Sequence, residues 1–487
     1  MSQLVFFVIL YLAVTIAIGL YAARRVANAK DYLVAGRSLP LYINMATVFA
    51  TWFGAETVLS VSATFAKDGL NGIPADPFGA TTCLILVAVF FAKAFYRMDL
   101  LTLGDFYRKR FDSRIEIVVS SVIVISYLGW TSAQLTALGL VLWIVSGGAI
   151  TLTQAIILGG VIVLFYTIWG GMWSVAFTDL FQTVVIIIGL VIVAWFVGDL
   201  AGGAGKVIER AHLDGKFKFW PKGDAKEWFA FMAAWMTIAL GSIPQQDVFQ
   251  RVTSAKDEKT AVRGTIIGGV VYFFVAFLPM FIAYAALMLE PKLVELFSRE
   301  DAREIQRILP DIILGKTPLW IQVLFFGALL SAILSTASGA LLAPTALFAN
   351  NVAKPFLPHL SDKKLLVIVR VTLVVFCFAA LIFAANSKST MYEMVQNAYK
   401  VTLAGAFAPL VFGLFWKRTT TAGAALSIFA GLGSWILMEL LIIYNDLQTI
   451  WPPQLVGLIF AIIAIIAGSL LTKPQHRAHH VTHSDAS

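Results

Sequence analysis

The chain has 487 residues and a net charge of +8; 59% of its residues are hydrophobic and only 13% are charged. A soluble surface needs roughly a quarter to a third charged residues. Cytosolic enzymes, disordered scaffolds and disulfide-built secreted domains are therefore excluded, and most of the surface must face lipid. Cys83 and Cys377 both sit inside apolar runs and are expected to be packing residues rather than a disulfide.

A helix crosses the hydrocarbon layer with about 20 apolar residues. Runs of that kind are predicted near 3–23, 41–66, 78–97, 117–145, 151–169, 175–198, 227–248, 264–289, 318–349, 365–386, 392–415, 422–444 and 451–472, thirteen in all. No segment alternates long enough for barrel strands. The first run has the hydrophobicity of a secretory leader. It lacks a basic start and reaches Arg24–Arg25 without a small-residue cleavage site, so it is expected to remain as a span.

The second run is interrupted at Ala50-Thr51-Trp52-Phe53-Gly54-Ala55-Glu56-Thr57, where a glycine and a carboxylate fall near mid-span. A charge at that depth costs at least about 2.5–3.5 kcal/mol and marks a cavity or a partner. Asp179 opens the sixth run, as an interfacial helix-start acid or as an ion ligand. The seventh run breaks at Gly241-Ser242-Ile243-Pro244-Gln245-Gln246-Asp247; proline removes a backbone donor and turns the preceding residue away from helix. Backbone freed inside a membrane must meet something polar. Two such breaks, five spans apart, point to two five-helix repeats of opposite orientation with the binding site at the broken helices. The ninth run carries Ser331-Ala332-Ile333-Leu334-Ser335-Thr336-Ala337-Ser338-Gly339. Its hydroxyls either aid packing or join carbonyls from the broken second span around Na⁺, with Asp179 as a possible carboxylate ligand.

The basic charge is a topology signal. With thirteen spans and the N-terminus outside, the inner segments 24–39, 93–116, 249–263, 350–364, 416–421 and 473–487 carry a net +12 and the outer segments a net −2. The positive-inside bias then sets the N-terminus out and the C-terminus in, in a plasma or bacterial inner membrane, with no role in nucleic-acid binding. Residues 1–472 form one membrane domain (flanking helix 3–23, repeats 41–198 and 227–415, flanking helices 422–472), followed by a cytoplasmic tail, 473–487. The tail histidines His476, His479, His480 and His483 lack the acidic or cysteine partners of a metal site. No GxxxxGKS, HExxH or GxSxG motif occurs, so no enzyme activity is expected.

Several strings, in order along about 1–472, resemble the sodium/solute symporter family: Ala35 to Pro40, Thr178 to Gln182, Gln246 to Arg251, Ala332 to Ser338, and Leu414 to Arg418 with Gly423-Ala424. The resemblance implies an all-α LeuT-type core in spans two to eleven. It implies a Na⁺ site on the carbonyls of Ala50, Phe53 and Ala332 and the hydroxyls of Ser335 and Thr336. A second Na⁺ site would use Asp179, Ser335 and Ser338, with Gly339 where a hydroxyl often stands. Ala50 to Gly54, Phe90 to Lys93 and Gly241 to Pro244 look most similar to the choline-transporter branch, which encloses a quaternary ammonium in aromatic rings. Trp52 and Trp130 match two cage positions; the other two fall on Ala80 and Gln245. Glu56 is the unusual addition, able to pair with an ammonium group. Thr57, Gln134, Gly241, Ser242 and Gln245 complete the expected solute-binding set.

The expectation is thus Na⁺-coupled symport of a small amine-bearing or zwitterionic solute by alternating access, with no obligate protein partner. The alternatives are an H⁺-coupled or uncoupled transporter, or a solute-sensing membrane receptor.

Overall fold

The computed structural model describes residues 3–299, 301–357, 361–445 and 447–473. The tail histidines lie outside the described residues. The secondary structure is helical, and one isolated bridge pairs Leu39 with Ala255.

In chain order the principal helices are α1 (Gln3–Ala23), α2 (Leu41–Trp52), α3 (Glu56–Asp68), α4 (Pro74–Arg97), α5 (Leu103–Arg110), α6 (Ser113–Val145), α7 (Leu152–Phe165) and α8 (Thr167–Leu200). They continue as α9 (Ala225–Gly241), α10 (Gln246–Thr253), α11 (Glu258–Leu289), α12 (Leu319–Phe356), α13 (Asp362–Asn386), α14 (Met391–Phe415), α15 (Thr421–Asn445) and α16 (Pro453–Leu471). Among the described residues ten helices are long and apolar enough to cross a membrane, and eleven if the bent pair α2–α3 is one span. The predicted fifth span is the shorter α7. The seventh is α9, 17 residues long, and α10 beyond a break. The predicted fifth and sixth spans follow one another within the helical run Leu152–Leu200, which is kinked at Gly171 near the start of α8, where a φ of 50° is left-handed backbone. A side chain there would also run into the Tyr32 carbonyl.

α8 and α12 form the centre, with α2, α6 and α11 packed around them. Every residue of α12 from Phe325 to Leu347 except Gly327 is buried, whereas α13 and α15 bury only one stripe, as helices at a lipid boundary do. α1 lies against α8 and α12, tied by Tyr11 Oη to Ser331 Oγ (2.5 Å) and by Ser174 Oγ donating to Gly19 O. α15 and α16 pack chiefly on each other. Both cysteines are buried and unbridged.

The loops collect into two ends. At one, Arg37 and Lys30 meet Asp99, and Arg97 meets Glu258. There α5 is tied to the end of α12: Asp105 accepts from Asn350 (2.8 Å) and Asn351 (2.9 Å), and Asn351 also donates to buried Glu116. At the other end, Tyr284 donates to Asp214 (2.6 Å), whose carboxyl that bond holds below the usual range. Residues 302–307 fold over that mouth, where Gln306 accepts from Ser60 (2.9 Å) and from the Met391 N–H (3.3 Å).

Candidate functional site

α2 stops at Trp52 because Phe53 leaves helical geometry (φ −87°, ψ 77°). The chain then bends by 55° into α3. In an unbroken helix the Gly54 N–H would bond Ala50 O. Instead it turns to Trp52 O (3.1 Å) and leaves the Ala50 carbonyl free. α12 supplies the partners: Ser335 Oγ donates to Ala50 O at 2.6 Å and Thr336 Oγ1 at 3.2 Å. Ser335 Oγ also lies 3.2 Å from Ala332 O. Ala50, Phe53, Ala332, Ser335 and Thr336 are all fully buried. Several neutral, hard oxygens thus converge at mid-span, the donor chemistry that suits an alkali cation.

Ser338 Oγ donates to Ser335 O (2.9 Å). Asp179 is fully buried within α8 rather than at an interface; its Oδ2 accepts from Thr47 (2.6 Å), and its Oδ1 has no partner. The space beside Gly339 is filled by Arg251: a Cβ there would come within 2.5 Å of Nη2. Arg251 Nε donates to Thr51 (2.9 Å), and its charge attracts both Asp179 and Asp247.

A cavity opens on the other side of the same break. Trp52 stacks on Tyr399 of α14 (6.4 Å, 12° between planes), and Trp130 of α6 stands 6.0 Å from the same ring. The rings close on about 10 Å³, room for little more than one water. Glu56 lines the cavity and curls back over Gly54. Trp130 Nε1 (3.3 Å) and Gln134 Nε2 (2.5 Å) donate to it, while Gln134 Oε1 accepts the first free N–H of the second half-helix, from Ala55 (3.1 Å). Thr57 Oγ1 donates to Asp76 (2.9 Å) and lies 3.1 Å from Tyr272 Oη.

Trp52, Glu56, Thr57, Trp130 and Gln134 are thus brought together. Gly241, Ser242 and Gln245 do not line the cavity. The end of α9 packs on α14 instead, where Thr402 donates to Gly241 O (2.6 Å) and Gln245 Nε2 faces Ser126 (3.2 Å) and Thr402 (3.3 Å). Sequence reasoning missed Asp76, Tyr272, Tyr392 and Tyr399. Asp76 was readable as an acid between Pro74 and Pro77, had the third span been started four residues earlier; the tyrosines carry no signal beyond being aromatic in apolar runs.

The sodium:solute symporter family model matches residues 32–431. The chain belongs to the sodium:solute symporter family. Na⁺ is accordingly the co-transported ion of this symporter, and a small-molecule solute is its other cargo. The symporter is 26% identical over 451 residues to the high-affinity choline transporter 1 of Caenorhabditis elegans (88% of this chain, 76% of that one). To the human high affinity choline transporter 1 it is 26% identical over 443 residues (87% and 75%). To the sodium/glucose cotransporter of Vibrio parahaemolyticus it is 24% identical over 501 residues (95% and 89%). In fold the symporter matches a substrate-bound, outward-open Na⁺-coupled sialic acid symporter with a TM-score of 0.80 at 20% identity (97% and 99% covered). Mhp1, a nucleobase-cation-symport-1 transporter in a closed conformation, gives 0.59 at 15% identity (92% and 97%). The fold is LeuT-like, and these neighbours are transporters, not enzymes.

Proposed function

We propose that this protein accumulates a small amine-bearing solute by coupling its entry to that of one Na⁺, in an alternating-access cycle. The observation that carries it is the break between α2 and α3, which presents the Ala50 carbonyl to Ser335 and Thr336 on one side and Glu56 to a ring-walled cavity on the other. Na⁺ is held by the carbonyls of Ala50, Phe53 and Ala332 and the hydroxyls of Ser335 and Thr336. The solute sits against Trp52, Trp130 and Glu56, with Gln134 orienting Glu56 and Thr57 orienting the neighbouring Asp76. A single ion is favoured because Gly339 offers no hydroxyl and Arg251 brings a fixed positive charge to the second-ion position. Thirteen spans with the N-terminus outside, and two inverted five-span repeats, complete the proposed architecture.

Coupling requires that ion and solute both favour the same closed state. One charge crossing 100 mV contributes roughly 2.3 kcal/mol, and a tenfold Na⁺ gradient about 1.4. One Na⁺ therefore supports about 500-fold accumulation of a neutral solute, enough for nutrient or osmolyte uptake. The test is a panel of radiolabelled amines, amino acids and carboxylates in proteoliposomes, read as Na⁺-dependent counterflow. Trp52→Ala is expected to weaken affinity for the transported amine about tenfold. Unchanged affinity, or equal uptake in Na⁺-free buffer at every pH, would overturn the proposal.

A further inference from the structure

Four carboxylates are buried around the two breaks, and the chain treats them in two ways. Asp179 and Asp247 both face the Arg251 guanidinium. Glu56 and Asp76, 5% and 3% exposed, have no such counter-ion. Their side-chain hydrogen bonds come from neutral groups, Trp130 and Gln134 on Glu56, Thr57 and Tyr272 on Asp76. Both line the same cavity, close enough to repel each other, and among the described residues no lysine or arginine lines it with them. Tyr392, more than nine-tenths buried, lines that cavity as well.

Two desolvated carboxylates without a cation take up protons unless a ligand supplies the charge that keeps them ionised. A quaternary ammonium compensates one at most and donates hydrogen bonds to neither. A primary ammonium donates up to three, and two of them joined by methylenes match two acids that share one ring-walled cavity. We infer that the solute is a small dication of the α,ω-diamine class, admitted when the rings that here close on about 10 Å³ part, with one ammonium on Glu56, the other on Asp76, and its methylene chain against Trp52 and Tyr399. The inference rests on the symport proposed above and narrows its solute.

The test uses the full chain in Na⁺-gradient proteoliposomes, with 1,3-diaminopropane, 1,4-diaminobutane and 1,5-diaminopentane set against n-butylamine and choline as competitors. At least one diamine is expected to compete at about a tenth or less of the n-butylamine concentration, with choline weaker than either. Glu56→Gln and Asp76→Asn are each expected to bring that diamine down to the monoamine level while leaving Na⁺ half-saturation within about twofold. Choline or n-butylamine competing as well as every diamine overturns the inference. So does an Asp76→Asn protein that keeps its diamine preference but loses Na⁺ dependence, since Asp76 would then serve an ion. Should a variant fail to fold, thermal stabilisation of the unaltered protein by diamine against monoamine decides the matter. Na⁺-dependent stabilisation without solute separates the two readings: its absence sinks the symport, whereas its presence with no diamine preference sinks the dication alone.

Discussion

Ser335 touches two of the proposed ion's carbonyl ligands at once, Ala50 O and Ala332 O. Losing one such hydroxyl contact costs about 1 kcal/mol, or roughly fivefold in an equilibrium constant. Ser335→Ala and Thr336→Ala are expected to raise the Na⁺ concentration for half-maximal uptake by about that factor, with the saturating rate little changed. Asp179→Asn addresses the second ion: with Gly339 lacking a hydroxyl and Arg251 beside it, the Na⁺ Hill coefficient should stay near one in both proteins. A value that falls from about two in the unaltered chain to one in the variant would restore the second site. Ser335, Thr336 and Glu56 were legible because polar groups in an apolar run are costly and therefore informative. Arg251 was not: its string pointed to the family, and only the folded chain shows its charge reaching Asp179.

At the scale of the helix, the α2–α3 break depends on Gly54 having no side chain. A Cβ there would run into Glu56 Oε2, so the carboxylate would have to swing out of the cavity. Gly54→Ala is expected to weaken solute affinity about as much as Glu56→Gln, by roughly tenfold, with Na⁺ affinity kept. In a Glu56→Ala background the same change should add little, and full additivity in that double-mutant cycle would refute the contact. The break was visible as glycine, acid and aromatic residues packed into eight positions. The seventh span was visible too, but its glycine and proline mark where α9 ends and α10 begins, not cavity-lining residues. Whether such a break meets solute or neighbouring helix is fixed by α14, more than 130 residues away, which no local pattern encodes.

For the whole molecule, charge movement is the most general readout. Each net charge crossing 100 mV is worth roughly 2.3 kcal/mol, so collapsing an inside-negative potential should cut steady-state accumulation about 50-fold per translocated charge. A transported dication would make the loss far steeper than Na⁺ alone, and no effect of potential would argue for electroneutral exchange. Composition and run length sufficed for a polytopic helical chain, and the alternation of basic and acidic loops anticipated which segments gather at each end. The finer count resisted, because the predicted fifth span runs from α7 into the start of α8 as far as the kink at Gly171, and the seventh is completed only by α10 beyond the end of α9.

Gln134 receives the Ala55 N–H and grips Glu56 with the same amide, five residues beyond the carbonyl that Ser335 and Thr336 hold. The two cargoes would thus pull on opposite edges of a single short hinge, so neither can relax it without being felt by the other. On that reading the brevity of the stretch would itself suppress slippage, in which ions leak through while the pocket stands empty, with no separate relay.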